Sequence, residues 1–288
     1  MENTNFFDFK KNLNTTPAET DQYFSRNHSY YLILIYLVNS IIISLIFGSI
    51  AYIIGELLKL EDVITNTISE VLTSLTAICL ALPMAYKTII NDLKRSKKQL
   101  LLILLFSVLA FGVFYAISTL YDNHIQKFII KLLNNIHIIS DKTYESFETS
   151  KNQLAILELF SNKYTKWIMF PFIGIIIPIY EEIIFRKAMF RIFNFKKSVF
   201  NILVSGAIFG AIHITTSILV IITGLIDPAN NSYSLDHITL EFVFFFNYFL
   251  SGLMLGVVYA ISGYNIIPTI IIHILNNSLN AIICIFFM

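Results

Sequence analysis

Seven stretches of this 288-residue chain, at about 30–54, 66–86, 99–121, 166–190, 198–225, 238–262 and 265–287, are apolar over the length a helix needs to cross roughly 30 Å of hydrocarbon. The second is the most dilute, with Asn66, Ser69 and Glu70 at its start. Seven such stretches leave too little polar chain to clothe a water-soluble globule. Only 14% of residues are charged and 56% are hydrophobic, where a soluble domain carries roughly 25% charged residues. The expected fold is all-α, a polytopic membrane helix bundle of about seven spans.

The remaining polar material sets orientation and excludes partners. A net charge of +1 supplies no whole-chain basic surface for nucleic acid. Cys79 and Cys284 stand apart in apolar runs, with no CxxC spacing to suggest a disulfide framework or thiolate metal site. Residues 1–29 are polar and of mixed charge, and read as a cytoplasmic tail, not a cleaved leader. Basic residues flanking spans are retained on the cytoplasmic side. Lys10, Lys11 and Arg26, then Lys87, Lys94, Arg95, Lys97 and Lys98, then Arg186, Lys187, Arg191, Lys196 and Lys197 all fall on one face when seven spans alternate. The N-terminus is therefore expected inside and the C-terminus outside.

The 122–165 segment is long for a simple connection. Its Ile125, Phe128, Ile129, Leu132 and Leu133 recur at helical spacing, so the reading lies between an interfacial helix on the outer surface and a linker. Residues 30–164 then hold the first spans and this segment, and residues 165–288 hold the polar-bearing spans.

Ionisable side chains inside spans cost ~3 kcal/mol each on insertion scales, so each is a functional candidate. The fourth span ends with Glu181 and Glu182 ahead of Arg186. Glu182 and Arg186, four apart, can pair on one helix face. Glu181 is turned about 100° away and is left for other work, unless the group is only a helix end emerging into water.

In the fifth span Gly206 and Gly210 form a small-residue face, and His213 continues it, so the histidine should point at a neighbouring helix. Gly252 and Gly256 repeat that spacing in the sixth. In the seventh, His273 and Asn277 share a face. Counting 1.5 Å per residue from the cytoplasmic ends, Glu181, His213, His273 and Asn277 lie roughly 14, 22, 12 and 18 Å deep. One polar cavity is the expectation.

A carboxylate, two imidazoles and an amide, with no serine or cysteine motif beside them, suit attack by water. Glu181 could take the water's proton, His213 could hold that water or share its proton, and His273 with Asn277 could donate to an oxyanion. The set of Glu181, His213 and His273 could instead bind zinc, although no HExxH spacing occurs. GxSxG and GxGD motifs are also missing.

The series Glu181-Glu182-x-x-x-Arg186, Phe209-x-x-x-His213 and His273-x-x-x-Asn277, on three spans in that order, resembles the CPBP intramembrane protease family. That family includes the type II CAAX prenyl endopeptidases and the bacterial Abi proteins linked to bacteriocin processing and self-immunity. The resemblance covers roughly residues 165–287. It implies a helical core with a cavity toward the cytoplasmic leaflet and peptide-bond hydrolysis. By position, it makes Glu181 the water-activating residue, His213 its assistant, and His273 with Asn277 the oxyanion pair, while Glu182, Arg186 and Phe209 support the motifs. The family is described in both glutamate-dependent and metal-dependent terms, so zinc is allowed and not required.

The expected partners are membrane lipid and a secreted, leader or membrane-bound peptide substrate. The Ile-, Asn-, Lys- and Phe-rich composition suggests an AT-rich bacterial genome and a bacterial plasma membrane. Two other classes compete: a non-catalytic immunity or peptide-binding membrane protein, and a small proton-coupled transporter. The chain shows no inverted repeat to favour the latter.

Overall fold

In the computed structural model, residues 12–13, 16, 23–97, 99–146, 149–195, 198–215 and 235–287 are described. Ser25 starts the first helix, α1 (Arg26–Leu58): its side chain accepts from the His28 N–H, and the His28 ring accepts from the Ser25 N–H. Lys59, in the left-handed region at φ 52°, stops it. Then follow α2 (Asp62–Lys97), α3 (Leu100–Asn135), α4 (Asp141–Ser146), α5 (Lys151–Ser161), α6 (Thr165–Phe193), α7 (Ser198–His213), α8 (Leu235–Ile261) and α9 (Ile267–Phe287). Among the described residues there is no strand. Among the described residues six helices, α1, α2, α3, α6, α8 and α9, are long and apolar enough to cross a membrane. The protein is an all-α, polytopic membrane helix bundle.

Two sequence expectations need qualification. The fifth apolar stretch appears only as the 16-residue α7. Its continuation to residue 225, and the acidic 226–237 loop up to residue 234, lie outside the described residues, as do Lys10, Lys11, Lys98, Lys196 and Lys197. The 122–165 segment begins not as a separate interfacial helix but as the end of α3. At 36 residues α3 is about 54 Å long, well beyond a hydrocarbon core. Its last turns carry Lys127 and Lys131 beside apolar residues, and α4 and α5 follow.

By internal packing the chain divides into two units. The first comprises Met1–Phe111, Leu157–Ser205 and Leu255–Met288; the second comprises Gly112–Ile156 and Gly206–Met254.

In the first unit, α1 packs on α6, with Tyr36 stacked on Tyr180 at 5.8 Å and edge-on to Phe185. The C-terminal turns of α2, the latter part of α6 and the turn into α9 meet at one end. Basic Arg95 and Lys187 both lie there, with Asn12 of the tail bonded to Ile261 O at 2.8 Å.

In the second unit, Ile130 and Ile139 are buried against Leu240, Val243 and Phe244 of α8, with Ile129 and Leu133 packed beside them. Ile125, Phe128 and Leu132 face outward. The apolar residues of the segment thus divide between two faces. The Tyr121 hydroxyl donates to Val243 O at 2.9 Å, and Asn247 donates to Asp122 at 2.8 Å.

Candidate active site

In the first unit, the path of α6 is set by its prolines. Pro178 has no N–H to offer Gly174 O four residues earlier. The Ile177 N–H bonds Phe172 O instead of Ile173 O, closing a π-helical turn over Phe172–Ile176. Two carbonyls of α6 are thereby turned toward α9, which meets them: Asn277 Nδ2 donates to Ile173 O at 3.2 Å, and Ser278 Oγ donates to Gly174 O at 3.2 Å. A Cβ at Gly174 would lie 2.9 Å from Ser278 Oγ but 3.7 Å from Ser278 Cβ, so only the hydroxyl stands in the way of a side chain there. A second π-helical turn, Ile183–Ala188, follows Ile177–Glu182 directly. Turns of this kind are rare and occur often at functional sites. Here they bracket the paired glutamates.

Between these turns the two carboxylates take different partners. Glu182 Oε2 accepts from Arg186 Nε at 3.0 Å, and Glu182 Oε1 accepts from His273 Nδ1 at 2.9 Å. The other ring nitrogen, His273 Nε2, lies 3.5 Å from Glu181 Oε2. Arg186 also donates through Nη1 to Ser205 Oγ at 2.8 Å, and Ser205 donates to Phe185 O at 2.9 Å. An ionised carboxylate can only accept, so the proton on this side of His273 sits on Nδ1 and Nε2 is the atom presented to Glu181. Side-chain exposure is 0% for Glu182 and Arg186, 7% for His273 and 15% for Glu181. Glu181 is the more exposed of the two carboxylates. Glu182 and Arg186 form the buried clamp that holds the imidazole.

The second unit holds Phe209 and His213 on α7. Here α7 and α8 touch through glycines: a Cβ at Gly252 would fall 2.9 Å from both Gly206 Cα and Phe209 Cβ, and one at Gly210 would fall 2.9 Å from the Phe245 ring. His213 Nδ1 bonds Phe209 O at 2.8 Å. A carbonyl only accepts, so Nδ1 carries the hydrogen and Nε2 is left as an acceptor in the neutral ring. The imidazole stacks on Tyr248 at 4.4 Å and 19°, with the Phe209 ring also at 4.4 Å. The Tyr248 hydroxyl is in turn bonded to Ser150 at 3.0 Å and Asn152 at 3.1 Å.

Sequence reasoning paired Glu182 with Arg186 and put His273 and Asn277 on one face. It missed the contact of His273 with both glutamates, the seat that Ser205 gives Arg186, and Tyr248. The one signal for the first was Pro178, whose missing N–H opens α6 to α9. Nothing in the spacing pointed to Tyr248.

Within the first unit the donor set falls one ligand short of a catalytic zinc site. Among the described residues no group of three or more His, Cys, Asp or Glu side chains is arranged to hold a metal ion. In the first unit both Glu182 oxygens and His273 Nδ1 are engaged with one another or with Arg186, which leaves two donors, Glu181 Oε2 and His273 Nε2. Catalytic zinc takes three protein ligands.

Residues 163–279 match a family model, that of the type II CAAX prenyl endopeptidase Rce1-like proteins. The span agrees with the resemblance to the CPBP proteases and contains all seven motif residues, Glu181, Glu182, Arg186, Phe209, His213, His273 and Asn277. It leaves α1, α2 and α3 outside. No curated protein and no solved structure matches the chain.

Proposed function

We propose that this membrane protein, whose residues 163–279 are similar to a family of CAAX-type proteases, is an endopeptidase that cleaves a peptide bond with water activated by Glu181. The observation that carries the reading lies within the matched span. One carboxylate, Glu182, is consumed in holding His273 and Arg186, while its neighbour Glu181 faces the other ring nitrogen and is the more exposed.

In this reading Glu181 takes a proton from water as the water oxygen adds to the scissile carbonyl carbon. The carbonyl electron pair moves to oxygen, which His273 Nε2–H and the second N–H of Asn277 stabilise. Collapse of the tetrahedral intermediate expels the amine, which leaves with the proton from Glu181. The family resemblance gives His213, whose Nε2 is left as an acceptor, the assisting role. The oxyanion role calls for the doubly protonated His273 ring, since with Nδ1–H alone Nε2 is only an acceptor. Each oxyanion donor is worth about 3 kcal/mol in comparable sites, and the general base typically 10²–10⁴-fold. No step uses a metal.

The substrate class is a membrane-associated or secreted peptide, CAAX-like or bacteriocin-type, and the termini are oriented N-inside and C-outside. Comparative peptidomics of cells carrying wild type or Glu181→Ala tests the reading. Fragments with new termini that appear only with wild type support it. Identical peptide profiles, with any protection of the cells retained by Glu181→Ala and His213→Ala, would instead mark a non-catalytic immunity or peptide-binding protein.

A further inference from the structure

A second buried ionic cluster lies in the first unit, and its centre is on a helix outside the matched span. Asp92 of α2 is fully buried. Its Oδ2 accepts from Lys187 Nζ of α6 at 2.6 Å and from the backbone N–H of Ile266 at 3.0 Å. Its Oδ1 meets Arg95 Nη1 at 3.4 Å. Lys187 also donates to Tyr264 O at 3.2 Å, Arg95 donates to Gly263 O at 3.1 Å, and Asn265 donates to Asp92 O and to Ser96 Oγ.

These partners fall at two informative positions. Lys187 directly follows Arg186, the residue that clamps Glu182. Ile266 directly precedes α9, the helix that carries His273 and Asn277. One carboxylate oxygen therefore joins the α6 turn that ends the glutamate motif to the start of the histidine helix. The turn between α8 and α9 has left-handed backbone at Gly263 (φ 64°) and Tyr264 (φ 57°), and the same cluster binds the carbonyls of both.

We propose that Asp92 is a positioning residue for the candidate active site: by tying Lys187 to the Ile266 amide it sets the spacing and register at which α6 presents Glu181 and Glu182 to His273. The consequence for catalysis rests on the proposed protease function, but the consequence for geometry does not. The first three spans then have a defined part in the site, supplied by α2.

The experiment uses the full chain in lipid nanodiscs, with Cys79 and Cys284 replaced by alanine and with Gly174→Cys and Ser278→Cys introduced. A Cβ at Gly174 lies 3.7 Å from Ser278 Cβ, inside the roughly 3.5–4.5 Å span of a disulfide. The rate of oxidative cross-linking thus reports the α6–α9 spacing without any need for substrate. It should fall at least tenfold when Asp92→Asn is added.

The double variant Asp92→Asn/Lys187→Met keeps the charges balanced while cutting the tie, and covers the case where Asp92→Asn alone does not accumulate. It should cross-link as slowly. Cross-linking at the unmodified rate in the double variant would overturn the proposal, because Asp92 would then only neutralise Lys187.

With the two native glycine and serine residues restored, cleavage of an internally quenched farnesylated CAAX peptide should show kcat at least tenfold lower in the double variant, with KM within threefold. Unchanged kcat in a variant that cleaves would also overturn it. Slow cross-linking with no cleavage by wild type would leave the positioning geometry standing and count against the CAAX-like substrate class alone.

Discussion

The two histidines of the sequence motifs are held in opposite ways. His273 stands between carboxylates in the first unit, backed by the buried Glu182–Arg186 ion pair, which Ser205 seats through its hydroxyl. His213, in the second unit, is held by neutral contacts: a backbone carbonyl, two aromatic rings, and a tyrosine whose hydroxyl is bonded to Ser150 and Asn152. Charge-assisted bonds are short and strong, but a buried charge that loses its partner is costly. Stacking is weaker and more forgiving. The first ring is fixed as part of an ionic framework, and the second is braced by a segment that reaches it from outside the matched span.

The comparison breaks most sharply at Glu182. Glu182→Ala leaves Arg186 buried without its carboxylate and should destabilise the protein by about 3–5 kcal/mol, read as a large fall in melting temperature in detergent. Next is the glycine contact that sets α7 against α8. Gly252→Ala forces a Cβ into Gly206 and Phe209 at 2.9 Å, and overpacking of this kind costs about 1–3 kcal/mol.

Tyr248→Leu removes the ring beneath His213. It should lower cleavage by roughly 0.5–1.5 kcal/mol in activation free energy, the worth of one aromatic pair, while Tyr248→Phe keeps the stack and should lose less. A loss with Tyr248→Leu as large as that of removing His213 itself would mean that the neutral brace is no softer than the ionic one. The smallest effect is expected at Gly112, where an added Cβ meets nothing within 4 Å. Gly112→Ala should raise stability by about 0.5–1 kcal/mol through helix propensity alone.

Much of this was legible in the chain. Apolar length alone announced α1, α2, α3, α6, α8 and α9, because a helix in lipid must satisfy its own backbone and leaves few other solutions. The spacing of four between Glu182 and Arg186 announced their pairing, and glycine spacing announced the α7–α8 contact. What could not be read was anything made across long sequence separation. In the sequence nothing marks Asp92 among Lys87, Lys94 and Arg95, yet it is fully buried and reaches Lys187 and Ile266. The apolar residues after 122 read as one stripe, whereas Ile129, Ile130 and Leu133 pack inward and Phe128 faces out. Periodicity gives a face, not its partner.

The central claim is that Glu181 activates the water that cuts the peptide. Its most direct test is the initial rate at which purified wild type and Glu181→Ala, each in lipid vesicles, cleave a peptide identified by comparative peptidomics, with the products collected in ¹⁸O-labelled water. A rate lower by at least 10²-fold in Glu181→Ala, with one ¹⁸O in the new carboxylate from wild type, is the predicted result. Equal rates for the two proteins would contradict it.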